Sequence, residues 1–507
     1  MEQKSLSEIY HQETKYAESL MGKFQHQIEW NRQPSPYKEY CSEKKVDLLP
    51  YLPFKNNPFT GKPLQSKEDS GYPFGKLEIA RLLYFTNGAT GVLQYVNGQT
   101  TLLRSAPTAG GLYPTEIYLA IRNLSSFENG IYNFQVRDHS LILVWEGDFW
   151  NEFEQYCLRH EAVSVSNLLM ICTAVYQRSA WRYQERAYRR ILLDTGHIIG
   201  NMVAYAQEEG FTPVPIGSFY DRPLTQLLFL DEATEGPLVI TALPQTSKIN
   251  PRTLQNSVAS PIPANGETNE KGQTLQLKLH YSSFMVPEQD VPPVPSPISL
   301  HPIFVQSKYP VRESLVLPSV AMDWEHGTGQ TILTRRSTRA YTGEALPRED
   351  LAAILEYGYA PLHTSPLPLL DADSLETYLV IQNVTGLRAG VYHYQPIPHE
   401  LHLLLEGDFI QKTWHFCLGQ ELARDAAALL IHTAHLKEAL GKHGNRAYRY
   451  LHLDAGHLGE RVNLAAIRLG LGVSGIGGFY DDEVNALLGL TLEQIVVYIT
   501  TLGQPQR

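Results

Sequence analysis

"RAYRRILLDTGH" spans residues 186–197 and "RAYRYLHLDAGH" spans 446–457. Two stretches this alike in one chain point to an internal repeat. Their separation is 260 residues (446 − 186), and the same number separates "EGDF" at 146–149 from its copy at 406–409. It also separates "SFYD" at 218–221 from "GFYD" at 478–481. A constant offset over so long a stretch means one domain duplicated without insertion, and this repeat decides the fold. Further upstream the register slips, because "KLEIARLLYFTNG" (76–88) pairs with "REDLAAILEYGYA" (348–360) at an offset of 272 (348 − 76).

Within each half the pattern is α+β. "ETYLVIQN" and "QIVVYITTLG" are β-rich runs bounded by turn residues. "YLHLDAGHLGERVNLAAIRLG" (450–470) reads as a long amphipathic helix closed by Gly470, and its counterpart ends at Gly210. A short strand and a glycine-containing turn follow, "VPIGSFYD" or "VSGIGGFYD", with Asp221 and Asp481 placed to cap the next helix. Four segments result: an N-terminal extension (1–75), a first domain (76–245), a Pro-rich linker (246–329) and a second domain (330–507). The linker carries Pro287, Pro292, Pro293, Pro295, Pro297 and Pro302 and the polar run "ANGETNEKG".

The chain has 507 residues, 43% apolar and 19% charged, as a soluble globular protein of two or three domains would. A formal charge of −11 argues against nucleic acid as a partner, since phosphate contacts need a basic face. The polar N-terminus is no secretory signal, and no apolar run is long enough to span a membrane. The four cysteines (Cys41, Cys157, Cys172, Cys417) are widely spaced, so neither a metal site nor a disulfide framework is expected. Cys157 and Cys417 are repeat equivalents, which suits packed core thiols, and a reducing cytoplasm is the expected location.

A duplicated domain supplies its own control. Features shared by both halves, such as His197 with His457 and Asp194 with Asp454, read as fold requirements. Features kept by one half are candidates for function. "RRSTR" (335–339) opens the second half, whereas the stretch before "KLEIARLL" has no arginine. Read functionally, its guanidiniums and hydroxyls would clamp a phosphate; read plainly, it is a solvated basic loop. Conversely, "APTAGGLYP" (106–114) survives only in the first half, where "TSPLPLLDADSLETYLVIQN" answers it in the second. Two adjacent glycines there suit either a tight turn or a backbone that must approach a flat ligand. Each half has thus lost what the other keeps, so the two together would build one complete site.

These residues jointly resemble the FMN-dependent nitroreductase superfamily, and more narrowly the SagB/McbC-type peptide azoline dehydrogenases, including the cyanobactin thiazoline oxidases. "IYHQETKY" at 9–16 looks similar to that family as well. The resemblance implies tandem nitroreductase-like domains paired as an intrachain pseudo-dimer with FMN between them. It places Arg335 and Ser337 at the FMN phosphate, Arg336 among the cofactor-binding residues, and Arg339 near N1 and O2 of the isoalloxazine. Gly475, Ile476, Gly477 and Gly478 would line one ring face, and Pro107, Thr108, Ala109, Gly110 and Gly111 would close the site. The family's Lys-Tyr pair falls on Arg182-Tyr183 in one half and on Lys442-His443 in the other. Arginine stays protonated at neutral pH, so Tyr183 is the expected base or proton relay, with Arg182 beside it and Lys442 as the remaining candidate.

The activity implied is the two-electron oxidation of a thiazoline or oxazoline in a ribosomally made precursor peptide to the aromatic azole, with O2 as final acceptor. Residues 1–75 and the linker are a possible peptide-binding surface, and a homodimer is a possible assembly. The alternatives are an NAD(P)H-dependent nitroreductase-like flavoenzyme and a non-catalytic peptide-binding scaffold.

Overall fold

The computed structural model describes residues 4–19, 28–40, 44–56, 58, 74–94, 100–245, 274–286, 309–323, 327–364, 369–370, 374–491 and 493–506. They fall into two compact units. Residues 29–245 with 284–286 form the N-terminal unit, and residues 4–19, 274–283 and 309–506 belong to the C-terminal unit. The linker prolines from Pro287 to Pro302, the "ANGETNEKG" run and Cys41 lie outside the described residues.

Each unit is α+β and built on a seven-stranded antiparallel sheet. In the N-terminal unit the strand order is Lys45–Asp47, Ser140–Glu146, Gly130–Gln135, Thr115–Ile121, Leu168–Val175, Glu235–Ala242 and Val214–Ile216. The C-terminal unit repeats it with Glu313–Val316, Glu400–Glu406, Gly390–Gln395, Leu375–Ile381, Ala428–His435, Gln494–Gly503 and Gly472–Ile476. The inner strands are rich in Val, Ile and Leu on both faces, with Thr and Tyr between them, because both faces are covered; every residue of Gln494–Gly503 is buried. Cys157 packs among Tyr118, Trp150, Phe153 and Ile171, and Cys417 among the equivalent Tyr378 and Ile431 together with Phe416, as expected of core thiols. Among the described residues no helix is long and apolar enough to cross a membrane.

The expected long helices are Ala187–Tyr205 and Arg446–Arg468. Gly470 follows the second with φ +74°, its N–H bonded to the Ile467 carbonyl, and Gly210 closes the first with φ +78°. Neither helix has the wet face that an amphipathic reading implies: every residue from Arg446 to Ala466 is buried. Its buried arginines are held by hydrogen bonds. Arg461 donates to the Tyr357 and Gly358 carbonyls, and Arg449 to the Ser283 hydroxyl.

Asp221 and Asp481 are not helix caps. Each is the first helical residue, Tyr220 and Tyr480 hold the cap positions, and neither cap bonds through its side chain. The carboxylates instead grip separate chain segments. Asp481 accepts the Tyr16 N–H and Asp221 accepts the Met285 N–H, each at 3.0 Å. Both segments follow short helices, Leu6–Glu13 and Leu275–Ser282, capped by Ser5 and Thr274. The offset between those caps is 269 (274 − 5), and it is again 269 between Val46 and Leu315 on the two edge strands (315 − 46). The duplicated unit therefore reaches back to residue 5. The stretch expected to be linker is only partly so, since it supplies a helix and an edge strand.

Candidate active site

In the N-terminal unit the "APTAGG" turn is held from below by the helix Ala187–Tyr205. Asp194 accepts the Thr108 hydroxyl at 2.5 Å and the Ala109 N–H at 3.0 Å, and Thr108 Oγ1 accepts the Tyr113 N–H at 3.2 Å. The far end is tied by Arg178, buried with Glu116 at 2.6 Å, which donates to the Tyr113 carbonyl. Gly110 and Gly111 both adopt left-handed φ, +67° and +71°. Their reasons differ. A Cβ on Gly110 would lie 2.6 Å from Tyr183 Oη and 3.1 Å from Arg182 Nη1, whereas Gly111 faces open space. The turn and the Arg182-Tyr183 pair, 71 residues apart in sequence (182 − 111), thus meet at one point.

Two functional candidates escaped the sequence reading. Arg190 lays its guanidinium over the Tyr183 ring at 3.7 Å from the centroid, closer than Arg182 at 5.6 Å. Its repeat equivalent is Tyr450 (190 + 260), so the same comparison of halves that singled out "RRSTR" could have found it. Asp194 was read as a fold requirement and is one, since Asp454 likewise accepts the Leu369 N–H ahead of a strand. In the first half that shared duty sets the shape of the glycine turn. Burial pushes Asp194 up to about 7, against the lowering pull of the Thr108 and Ala109 hydrogen bonds and of Arg190. Beside this cluster Trp181 meets Trp30 edge-on at 5.6 Å, and Trp30 is 64% exposed.

In the C-terminal unit "RRSTR" follows the helix Gly327–Thr334 and runs along the strand Gly472–Ile476. Thr338 makes the seam: its N–H donates to the Val473 carbonyl and its Oγ1 accepts the Val473 N–H, both at 2.9 Å. Arg335 is buried, its Nε 3.9 Å from Glu460 Oε1. Arg336 donates to the Leu333 and Arg335 carbonyls, Ser337 is half-buried and Arg339 is exposed. Gly475 exposes its backbone, and the Tyr498 hydroxyl leaves no space for a Cβ there. Ile476 and Gly478 are buried, and Gly477 is half-buried. Opposite Gly475 the first half has Pro215 (475 − 260), which has no N–H to offer a ligand. Lys442 sits on the helix Leu436–His443 and pairs with Glu438 at 3.0 Å, while His443 meets Tyr450 edge-on.

An exposed glycine backbone beside a loop with three arginines fits a flat, phosphate-bearing ligand such as FMN: the bare backbone can meet the ring and the guanidiniums the phosphate. The nitroreductase family pattern matches residues 77–243 and 332–504, most of each unit. The chain belongs to the nitroreductase family. A crystal structure from Anabaena variabilis ATCC 29413, itself named only as a nitroreductase, is similar along nearly the whole length: 37% identical, TM-score 0.85, covering 99% of this chain and 100% of that one. The nitroreductase-named MJ1384 of Methanocaldococcus jannaschii is 25% identical over 166 residues, 33% of this chain and 80% of that protein. The microcin B17-processing protein McbC of Escherichia coli is 22% identical over 142 residues, 27% of this chain and 52% of that protein. The tandem α+β organisation expected from the repeat is thus that of two nitroreductase domains.

Proposed function

We propose that this nitroreductase-family protein oxidises azoline rings of a ribosomally made peptide, with FMN as cofactor. The observation that carries the reading is the Gly110–Tyr183–Arg182 convergence, a proton-handling group set against a bare backbone turn that only one half possesses. The likeness to McbC, whose name records the processing of microcin B17, supports a peptide substrate over a free small molecule. Bound FMN would supply the two-electron acceptor for a ring hydride, with O2 taking the electrons on.

The chain's residues divide the remaining work. Tyr183 relays the ring proton that leaves with the hydride, passing its own hydroxyl proton on to solvent as it accepts. Arg182 cannot, because a guanidinium does not deprotonate near neutrality, so its role is to supply charge beside the phenol. Arg190, stacked on the Tyr183 ring, orients it, and Asp194 keeps the glycine turn in register. Arg335, Arg336 and Ser337 hold the phosphate, Arg339 balances the negative charge that reduction brings to the ring, and Gly475–Gly478 leave its face uncovered. The complementary losses of the two halves support one FMN per chain.

The test is mass spectrometry of an azoline-containing peptide incubated with the flavin-loaded protein in air. The expected result is the loss of two hydrogens per ring. An unchanged peptide together with NADPH-driven turnover of a nitroaromatic would instead assign a reductase. A preparation that retains no flavin would leave a binding scaffold.

A further inference from the structure

Glu460 stands on the helix Arg446–Arg468 with its side chain fully buried. Its Oε1 lies 3.9 Å from Arg335 Nε, and its Oε2 accepts from Asn463 Nδ2 at 2.8 Å. None of the three has a counterpart in the first half. The offset of 260 sets Gly200 opposite Glu460 and Val203 opposite Asn463 (460 − 260, 463 − 260), and no arginine stands in the stretch opposite "RRSTR". A carboxylate with no solvent contact is costly unless something needs its charge. Here it occurs only in the half that carries the arginine.

Resting on the assignment of Arg335 to the FMN phosphate, we propose that Glu460 is the resident counter-ion of Arg335. It positions the guanidinium while the phosphate is absent and takes up a proton when the phosphate arrives. The exchange is balanced: the carboxylate gains one proton from solvent, and the phosphate replaces it as the anion facing Arg335. Burial already pushes Glu460 up to about 7, with the Arg335 charge and the Asn463 hydrogen bond opposing that rise. Sharing Arg335 with a phosphate weakens the opposition. Among neighbouring elements the helix Gly327–Thr334 brings no ionisable residue, and Arg348–Thr364 brings Tyr357, whose ring is met by Arg461 at 4.7 Å. The strand Gln494–Gly503 brings Tyr498, and His457 and Arg461 flank Glu460 on its own helix.

Calorimetry of FMN binding in two buffers of different ionisation enthalpy measures the proton directly, with riboflavin as a ligand that lacks the phosphate. Between about pH 7 and 9, above the second phosphate ionisation near 6, wild type should take up a proton with FMN but not with riboflavin. Its affinity should fall with rising pH by up to about tenfold per unit. Glu460→Gln should bind FMN with little proton uptake and a flattened pH profile. Equal uptake for FMN and riboflavin, or none in wild type, overturns the inference without any variant. Arg335→Ala separates the two claims. If it keeps its flavin, the phosphate assignment fails and the counter-ion role with it. If it loses flavin while Glu460→Gln matches wild type in proton uptake, only the role of Glu460 is overturned.

Discussion

At Gly110 the backbone holds φ +67° with Tyr183 Oη where a methyl group would go, so Gly110→Ala meets two penalties. Left-handed strain and displacement of the phenol should together cost about 1–3 kcal/mol. Oxidation should fall by on the order of 100-fold, as expected when a proton acceptor is moved by about an ångström. Gly111→Ala, with φ +71° and open space, is the control. It should lose about 1 kcal/mol and keep most of its turnover. Melting temperatures and ring-oxidation rates of the pair check this, and equal activity losses would remove Tyr183 from the proposed chemistry. The two glycines were legible in the sequence because a turn that needs φ > 0 has few other solutions. Asp194 was not legible as the residue that shapes this turn, because it stands 85 positions from Ala109 and only the fold brings them together.

The aspartates after the short strands show how an element can be read correctly and its purpose missed. A strand, a glycine turn and an aspartate opening a helix were all evident from residue types. That the carboxylate leaves its own helix to hold Tyr16 depends on a segment more than 460 residues away (481 − 16). Asp481→Ala should release residues 14–16 while leaving the Leu6–Glu13 helix its Ser5 capping box. The cost should be about 1 kcal/mol, that of a half-buried amide losing its acceptor. Hydrogen exchange reports it as lost protection at the Tyr16 amide, and unchanged protection there would show that the parallel bridge to Tyr480 suffices alone. The extended repeat, at an offset of 269, was hidden for a related reason. "SLSEIYHQETKY" and "TLQLKLHYSSFM" share a cap, a helix and a histidine (His11 and His280) but little else. A short helix and a backbone grip constrain few side chains.

Over the whole molecule the two sheets balance one buried acid differently. Glu116 in the N-terminal unit has the permanent cation of Arg178, whereas its equivalent Glu376 has His393 at 3.6 Å and His435 at 3.3 Å. Burial alone would raise Glu376, but the close approach and charge of the two histidines outweigh it and hold the carboxyl at about 2. The folded value lies below the ordinary one of about 4.3, so this stabilisation is present above that pH and is lost as pH falls through about 2. It is worth about 3 kcal/mol. Glu376→Gln should therefore flatten the acid limb of C-terminal-unit unfolding, followed by calorimetry between about pH 5 and 2. An unchanged limb would mean that other carboxylates govern it. By itself the sequence determined the duplication, the α+β class, the central helices and the glycine and arginine stretches that separate the halves, because periodicity and repeats are properties of residue order. Only tertiary structure decided that Arg190 covers Tyr183, that Glu460 meets Arg335, and that the supposed linker supplies a sheet edge. The last two join residues far apart in the chain. Arg190 reaches Tyr183 only because the chain turns between the consecutive helices that carry them, so all three were set by packing rather than by residue order.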